Sequence, residues 1–130
     1  GRFITEKDEK DFKGQLNLKH TGTLPLVEAM RLLSLREGIE AISTLERMNA
    51  LHEKDVLTDD ELDYLTGAYR HISHLLLRQQ IEDFKAGKRV PNYVPPKTLT
   101  ERERDMLVES FKAIRGLREK VRSEFTGDIF

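Results

Sequence analysis

Three times in this chain a serine or threonine stands three residues ahead of a glutamate, at the head of an apolar-periodic run. The pairs are Ser43 with Glu46, Thr58 with Glu61, and Thr100 with Glu103. Each is a capping-box pattern, in which two side chains satisfy backbone groups that a helix start leaves open. Behind Thr58 runs the stripe Leu62, Leu65, Tyr69, Ile72 and Leu76. Behind Thr100 runs Leu107, Phe111, Ile114, Val121 and Phe125. Steps of three and four in the first stripe, and of three, four and seven in the second, place each on one helix face, the seam of a bundle. A chain patterned this way folds as packed helices.

The remaining helices follow from the same reasoning. One starts near Pro25, tolerated at a first helical position, and turns Leu26, Val27, Met30 and Leu33 inward until Gly38 stops it. The next starts at Ser43 and buries Leu45, Met48 and Leu51. The third ends at Gly87 and the last at Gly127. Gln15 to Lys19 alternates polar and apolar, which suits a short extended arm, and Thr21 to Thr23 reads as a turn. Lys88 to Leu99 holds three prolines and reads as a loop. The expected architecture is all-α: an up-and-down four-helix bundle with a short extended N-terminal arm. Residues 1–15 read as a lead-in and 16–130 as the helical domain. A chain beginning at Gly1 is expected of a piece cut from a larger protein.

Charge and composition bound the function. Twenty-two basic side chains face 23 acidic ones, a net charge of -1. Such a chain has no global attraction to nucleic acid or anionic membrane, so any phosphate site is local. Cysteine is absent, which excludes disulfides and thiolate metal sites and favours a cytoplasmic home. No apolar run approaches the roughly 20 residues of a membrane-spanning helix. No signal peptide is recognisable.

Catalytic signatures are absent too. The chain has no Gly-rich phosphate loop, no Gly-x-Ser-x-Gly elbow and no His-Glu-x-x-His zinc helix. Asp8 lies in the lead-in, and Asp59 and Asp60 suit a helix N-terminus better than a metal site. The third helix carries a polar stripe of Arg70, His74, Arg78 and Glu82, with His71 alongside. One reading of Arg78 is a grip on a phosphate or carboxylate. The other is a solvated helix face with Arg78 paired to Glu82. For His71 and His74 the solvated face is expected. Lys19 reads either as an exposed loop lysine or as a residue facing a triphosphate. Arg31 lies on the flank of the first helix, and Asn92 sits in the proline loop.

Several stretches together resemble a known family. They are Leu16-Asn-Leu-Lys19, Pro25, Arg31-x-x-x-Leu35-x-x-Gly38-Ile39, Ser43-Thr-Leu-Glu-Arg47 and Leu77-Arg-Gln-Gln80. Asn92, Pro96, Leu99, Glu103-Arg104 and Glu109-Ser110-Phe111 complete the set. From Leu16 to about Phe125 the chain resembles the DUF294-type nucleotidyltransferase substrate-binding C-terminal domain of bacterial signal-transduction proteins. Those proteins usually add a cyclic-nucleotide-binding module, paired CBS domains and a nucleotidyltransferase domain. The group is distantly similar to the PII uridylyltransferases and glutamine synthetase adenylyltransferases. Asn17, Leu76 and Gln79 depart from the usual aspartate, arginine and histidine.

The resemblance implies a domain that packs on an N-terminal nucleotidyltransferase domain of the same parent protein. It implies Lys19, Arg31, Arg78, Gln80 and Asn92 as contacts for nucleotide or protein substrate. It supplies no catalytic residue and no metal ligand here. Mg²⁺ and a nucleoside triphosphate are expected for the parent protein, and a regulatory protein is the implied acceptor. The chain alone is expected to be inert. The rival reading is a regulatory or dimerisation bundle, forming a homodimer over an apolar patch along Leu75 and Leu77. A metal- or haem-binding bundle lacks inward ligands.

Overall fold

A computed structural model describes residues 14–89 and 93–127. Four helices carry the fold: α1 (Leu24–Arg36), α2 (Thr44–Glu53), α3 (Asp59–Lys85) and α4 (Glu101–Gly127). Two short strands, β1 (Leu16–Asn17) and β2 (Tyr93–Val94), pair antiparallel with Leu16 opposite Val94. The protein is an all-α bundle with this small two-stranded clasp beside it.

Two of the three expected capping boxes close reciprocally, and the third forms by its Ser43 half. Thr58 Oγ1 accepts the Glu61 N–H at 3.1 Å, and Glu61 reaches back to the Thr58 N–H at 2.9 Å. Thr100 and Glu103 form the same reciprocal pair at 3.1 and 2.9 Å. Ser43 Oγ accepts the Glu46 N–H at 3.1 Å. Gly38 and Gly87 both take φ +69°, the left-handed geometry that ends a helix at little cost in glycine. Ile39 N–H then closes back on the Ser34 carbonyl at 2.8 Å. Gly127 is the last described residue of α4.

Helices adjacent in sequence pack together, and α4 closes back onto α1. α3 and α4 run antiparallel. Lys120 near the end of α4 holds Glu61 at the start of α3 at 3.1 Å, and Arg78 near the end of α3 meets Glu103 at the start of α4. Between the helices lies one core, with Leu26, Met30, Leu33, Met48, Ile72 and Leu107 all at 0% exposure.

The arm differs from its sequence reading. The strand stops at Asn17, and a π-helical turn (Lys19–Thr23) leads straight into α1. Asn17 causes this locally: its Oδ1 accepts the His20 N–H at 3.2 Å and its carbonyl accepts Thr21 Oγ1 at 2.8 Å. Helical backbone therefore precedes α1, and the expected turn at Thr21–Thr23 is not found, while α1 itself starts at Leu24 with Pro25 in its first turn, as expected. Leu16 and Leu18 are buried, so the arm is part of the core. The seam of α3 is also wider than expected. Ala68, His71 and Leu75 are buried while Leu62 and Tyr69 are only partly so, because α2, α4 and the π turn all pack against α3.

Gly22 explains how the π turn comes so close. A Cβ there would sit 2.8 Å from Ile72 Cδ1 and 3.3 Å from its Cγ2, and Ile72 is fully buried. Gly22→Ala should cost about 1–2 kcal/mol through overpacking. Urea denaturation should show part of that loss recovered in the Gly22→Ala, Ile72→Val double variant, which removes the Cδ1 contact. Simple additivity of the two changes would show that the close approach is not what matters.

Candidate functional site

Two polar regions arise from this packing. The first joins α3, α4 and the short 3₁₀ turn (Pro96–Thr98) between β2 and α4. Arg78 presents its guanidinium fork to Glu103, contacting both carboxylate oxygens, one of them at 3.2 Å, and reaches the Thr98 carbonyl at 3.4 Å. Neither sequence reading of Arg78 foresaw this partner: α4, not Glu82, supplies the carboxylate. The Arg78 guanidinium and the Thr100 N–H hold the Glu103 carboxyl down at about 2. His71, expected on a solvated face, is buried beside this cluster, with Nε2 3.0 Å from the Glu103 carbonyl. A carbonyl only accepts, so Nε2 carries the proton. His71 is drawn inward because α4 covers that side of α3, whereas His74 remains exposed.

The second region is the outer face of α1. Here Glu28 and Leu32 form a ridge between two open clefts. On one side, Arg31 and Arg47 of α2 border a cleft of about 450 Å³, walled by Leu35 and Ile39. Arg47 is steadied by its Nε–H donating to the Ala41 carbonyl at 2.9 Å. On the other side, His20, Arg118 and Arg122 border a groove of about 400 Å³ between the π turn, α1 and α4. The side chains of His20, Arg31, Arg118 and Arg122 make no hydrogen bond or ion pair with the described residues. Some cations elsewhere are neutralised in place: Arg36 by Glu37 and Glu124, each at 2.9 Å, and Lys120 by Glu61.

The predicted contact residues distribute over both regions. Lys19 is exposed at the first position of the π turn, beside His20. Arg31 lies on the α1 face. Arg78 and the half-buried Gln80 lie on α3, and Arg78 bridges to α4. Asn92 lies outside the described residues. The structure thus sets Arg31 on the α1 face, Lys19 exposed on the π turn and Arg78 on the α3–α4 seam. Sequence reading missed His20, Arg47, Arg118 and Arg122. The only signal for the last two was their i, i+4 spacing, which does not tell which neighbour they face.

Among the described residues, no group of three His, Asp or Glu side chains is placed to hold a metal ion, and no helix is long and apolar enough to cross a membrane. The fold and these surfaces define an all-α helical domain with a locally basic face. The family model described as "Putative nucleotidyltransferase substrate binding domain" (DUF294_C) matches residues 1–125, and the chain belongs to that family. No curated protein and no solved structure matches it.

Proposed function

We propose that this bundle is the substrate-binding domain of a signal-transduction nucleotidyltransferase of the PII uridylyltransferase kind. It works against a catalytic domain of the same parent protein. That domain supplies Mg²⁺ and the nucleoside triphosphate. In the transfer, an acceptor oxygen attacks the α-phosphorus and pyrophosphate leaves. The bundle's part is to hold an anionic substrate, nucleotide or regulatory protein, against that centre.

One observation carries this reading beyond family membership. Arg31, Arg118 and Arg122 flank α1 and make no ion pair with a described residue, Glu28 being the one carboxylate lining the two clefts, in a chain of net charge -1. A concentrated patch of unneutralised charge on a near-neutral domain supports a local anionic ligand. Arg78 is the weaker candidate for direct contact, because Glu103 already occupies its fork.

The test is reconstitution. The separately produced catalytic domain should transfer nucleotide to a PII-type acceptor faster when the bundle is added. Arg31→Glu should cut that gain about tenfold, the size of one good charge-assisted contact. No gain from adding the bundle would overturn the reading. It would favour the regulatory bundle, for which one observation speaks. Leu77, Ile81 and Phe84 lie on one face of α3 at i, i+4, i+7 and are 57%, 45% and 77% exposed. Leu75, the other residue of the expected patch, is buried at 1%.

A further inference from the structure

We infer that the groove between the π turn, α1 and α4 is a phosphate-chain site, gripping a di- or triphosphate through His20, Arg118 and Arg122. The inference rests on the substrate-binding reading and gives that reading a location and a ligand chemistry. Arg118 and Arg122 stand one turn apart on α4, about 6 Å along its axis. His20 comes from the opposite wall, so a ligand held by the two arginines meets an imidazole N–H donor from the other side. Two arginines at i, i+4 repel each other when nothing lies between them. A polyanion placed there turns that repulsion into attraction.

The surroundings strengthen the case. Leu24, Pro25 and Val121 line the groove and are half-buried, and such apolar walls focus the field of nearby charges. The guanidinium fork matches phosphate oxygens in pairs. The groove of about 400 Å³ falls in the range of small-molecule sites and is roomier than a single phosphate needs. Glu28 is the one carboxylate of its lining and is exposed. It repels a bare phosphate chain, which gives the proposal a control of opposite sign.

The experiment is a titration of the whole chain with metal-free inorganic tripolyphosphate, followed by ¹⁵N–¹H correlation spectra and calorimetry, with circular dichroism to confirm that each variant is folded. Binding should saturate, with shifts concentrated at residues 19–25 and 118–122. Arg118→Gln and Arg122→Gln should each weaken it about tenfold. Glu28→Gln should tighten it. Arg102→Gln, which removes an exposed charge at the other end of α4, should change it less than twofold. A UTP affinity above that of tripolyphosphate identifies a nucleotide as the ligand, and equal affinities identify a free polyphosphate. Absence of saturation would overturn the proposal, as would equal weakening by Arg102→Gln, which reveals only diffuse charge. If the groove fails to bind while transfer still requires the bundle, the groove assignment alone is lost. If the groove binds and transfer ignores the bundle, the substrate-binding reading is what fails.

Discussion

Replacing Leu18 by alanine should destabilise the protein by about 2–5 kcal/mol, the cost of a fully buried leucine. Leu18 lies between β1 and the π turn, in a segment whose alternation reads as a peripheral arm. Yet it is 0% exposed and shares one core with Leu16, Val94 and Leu99. The β1–β2 clasp ties this segment to the chain just ahead of α4, so the arm closes one side of the bundle. For a domain stable by about 5–15 kcal/mol, the loss is a large share of the total. Urea denaturation measures it directly. Lys19→Ala, one residue along and exposed, should change stability by less than about 0.5 kcal/mol. A Leu18→Ala cost as small as that of Lys19→Ala would place the arm outside the core.

Glu103→Ala should cost about 2 kcal/mol, because one side chain serves two structures. It completes the capping box of α4 on the Thr100 N–H, a contribution of about 1 kcal/mol. It also takes both prongs of Arg78, which would otherwise lose its carboxylate partner. The Arg78 side chain is 38% exposed, so solvent screening keeps the ion-pair share modest. The pH dependence follows with a definite sign. Arg78 first, and then the Thr100 N–H, lower the Glu103 carboxyl from 4.5 to about 2 in the folded protein. Between those values the unfolded chain binds the extra proton. The stabilisation is therefore complete above about pH 4.5 and is lost as pH falls toward 2. Melting temperatures between pH 2 and 5 should fall less steeply in Glu103→Gln than in the natural protein. Glu61 adds a contribution of the same sign. Burial pushes its carboxyl up, but the Thr58 N–H and the Lys120 ammonium outweigh this and leave it lowered. An unchanged slope in Glu103→Gln would mean that other carboxylates govern the acid transition.

These predictions separate stability from recognition. Glu103 and Arg78 tie α3 to α4, so their variants should unfold the bundle more easily. Arg118 and Arg122 make no side-chain hydrogen bond or ion pair with a described residue, so their loss should register in binding and little in melting temperature. This division comes from the partner of each cation, not from its residue type.

The sequence by itself determined the helices. Capping boxes, glycine stops and stripes of three and four are local rules, acting among residues a few positions apart, and the four helices begin and end close to where those rules place them. It also carried the family, because matching motifs are spread along most of the chain. Only the tertiary structure decided what the side chains between those landmarks do. Asn17 and Gly22 together convert an expected turn into a π-helical entry pressed against Ile72. Arg78 finds Glu103 across 25 positions of sequence, and His71 is drawn inward where α4 covers it. Arg118 and Arg122 border a cleft only because α1 packs beside α4. Helix formation is governed by neighbours in sequence. Burial, pairing and the outline of a binding surface are governed by neighbours in space.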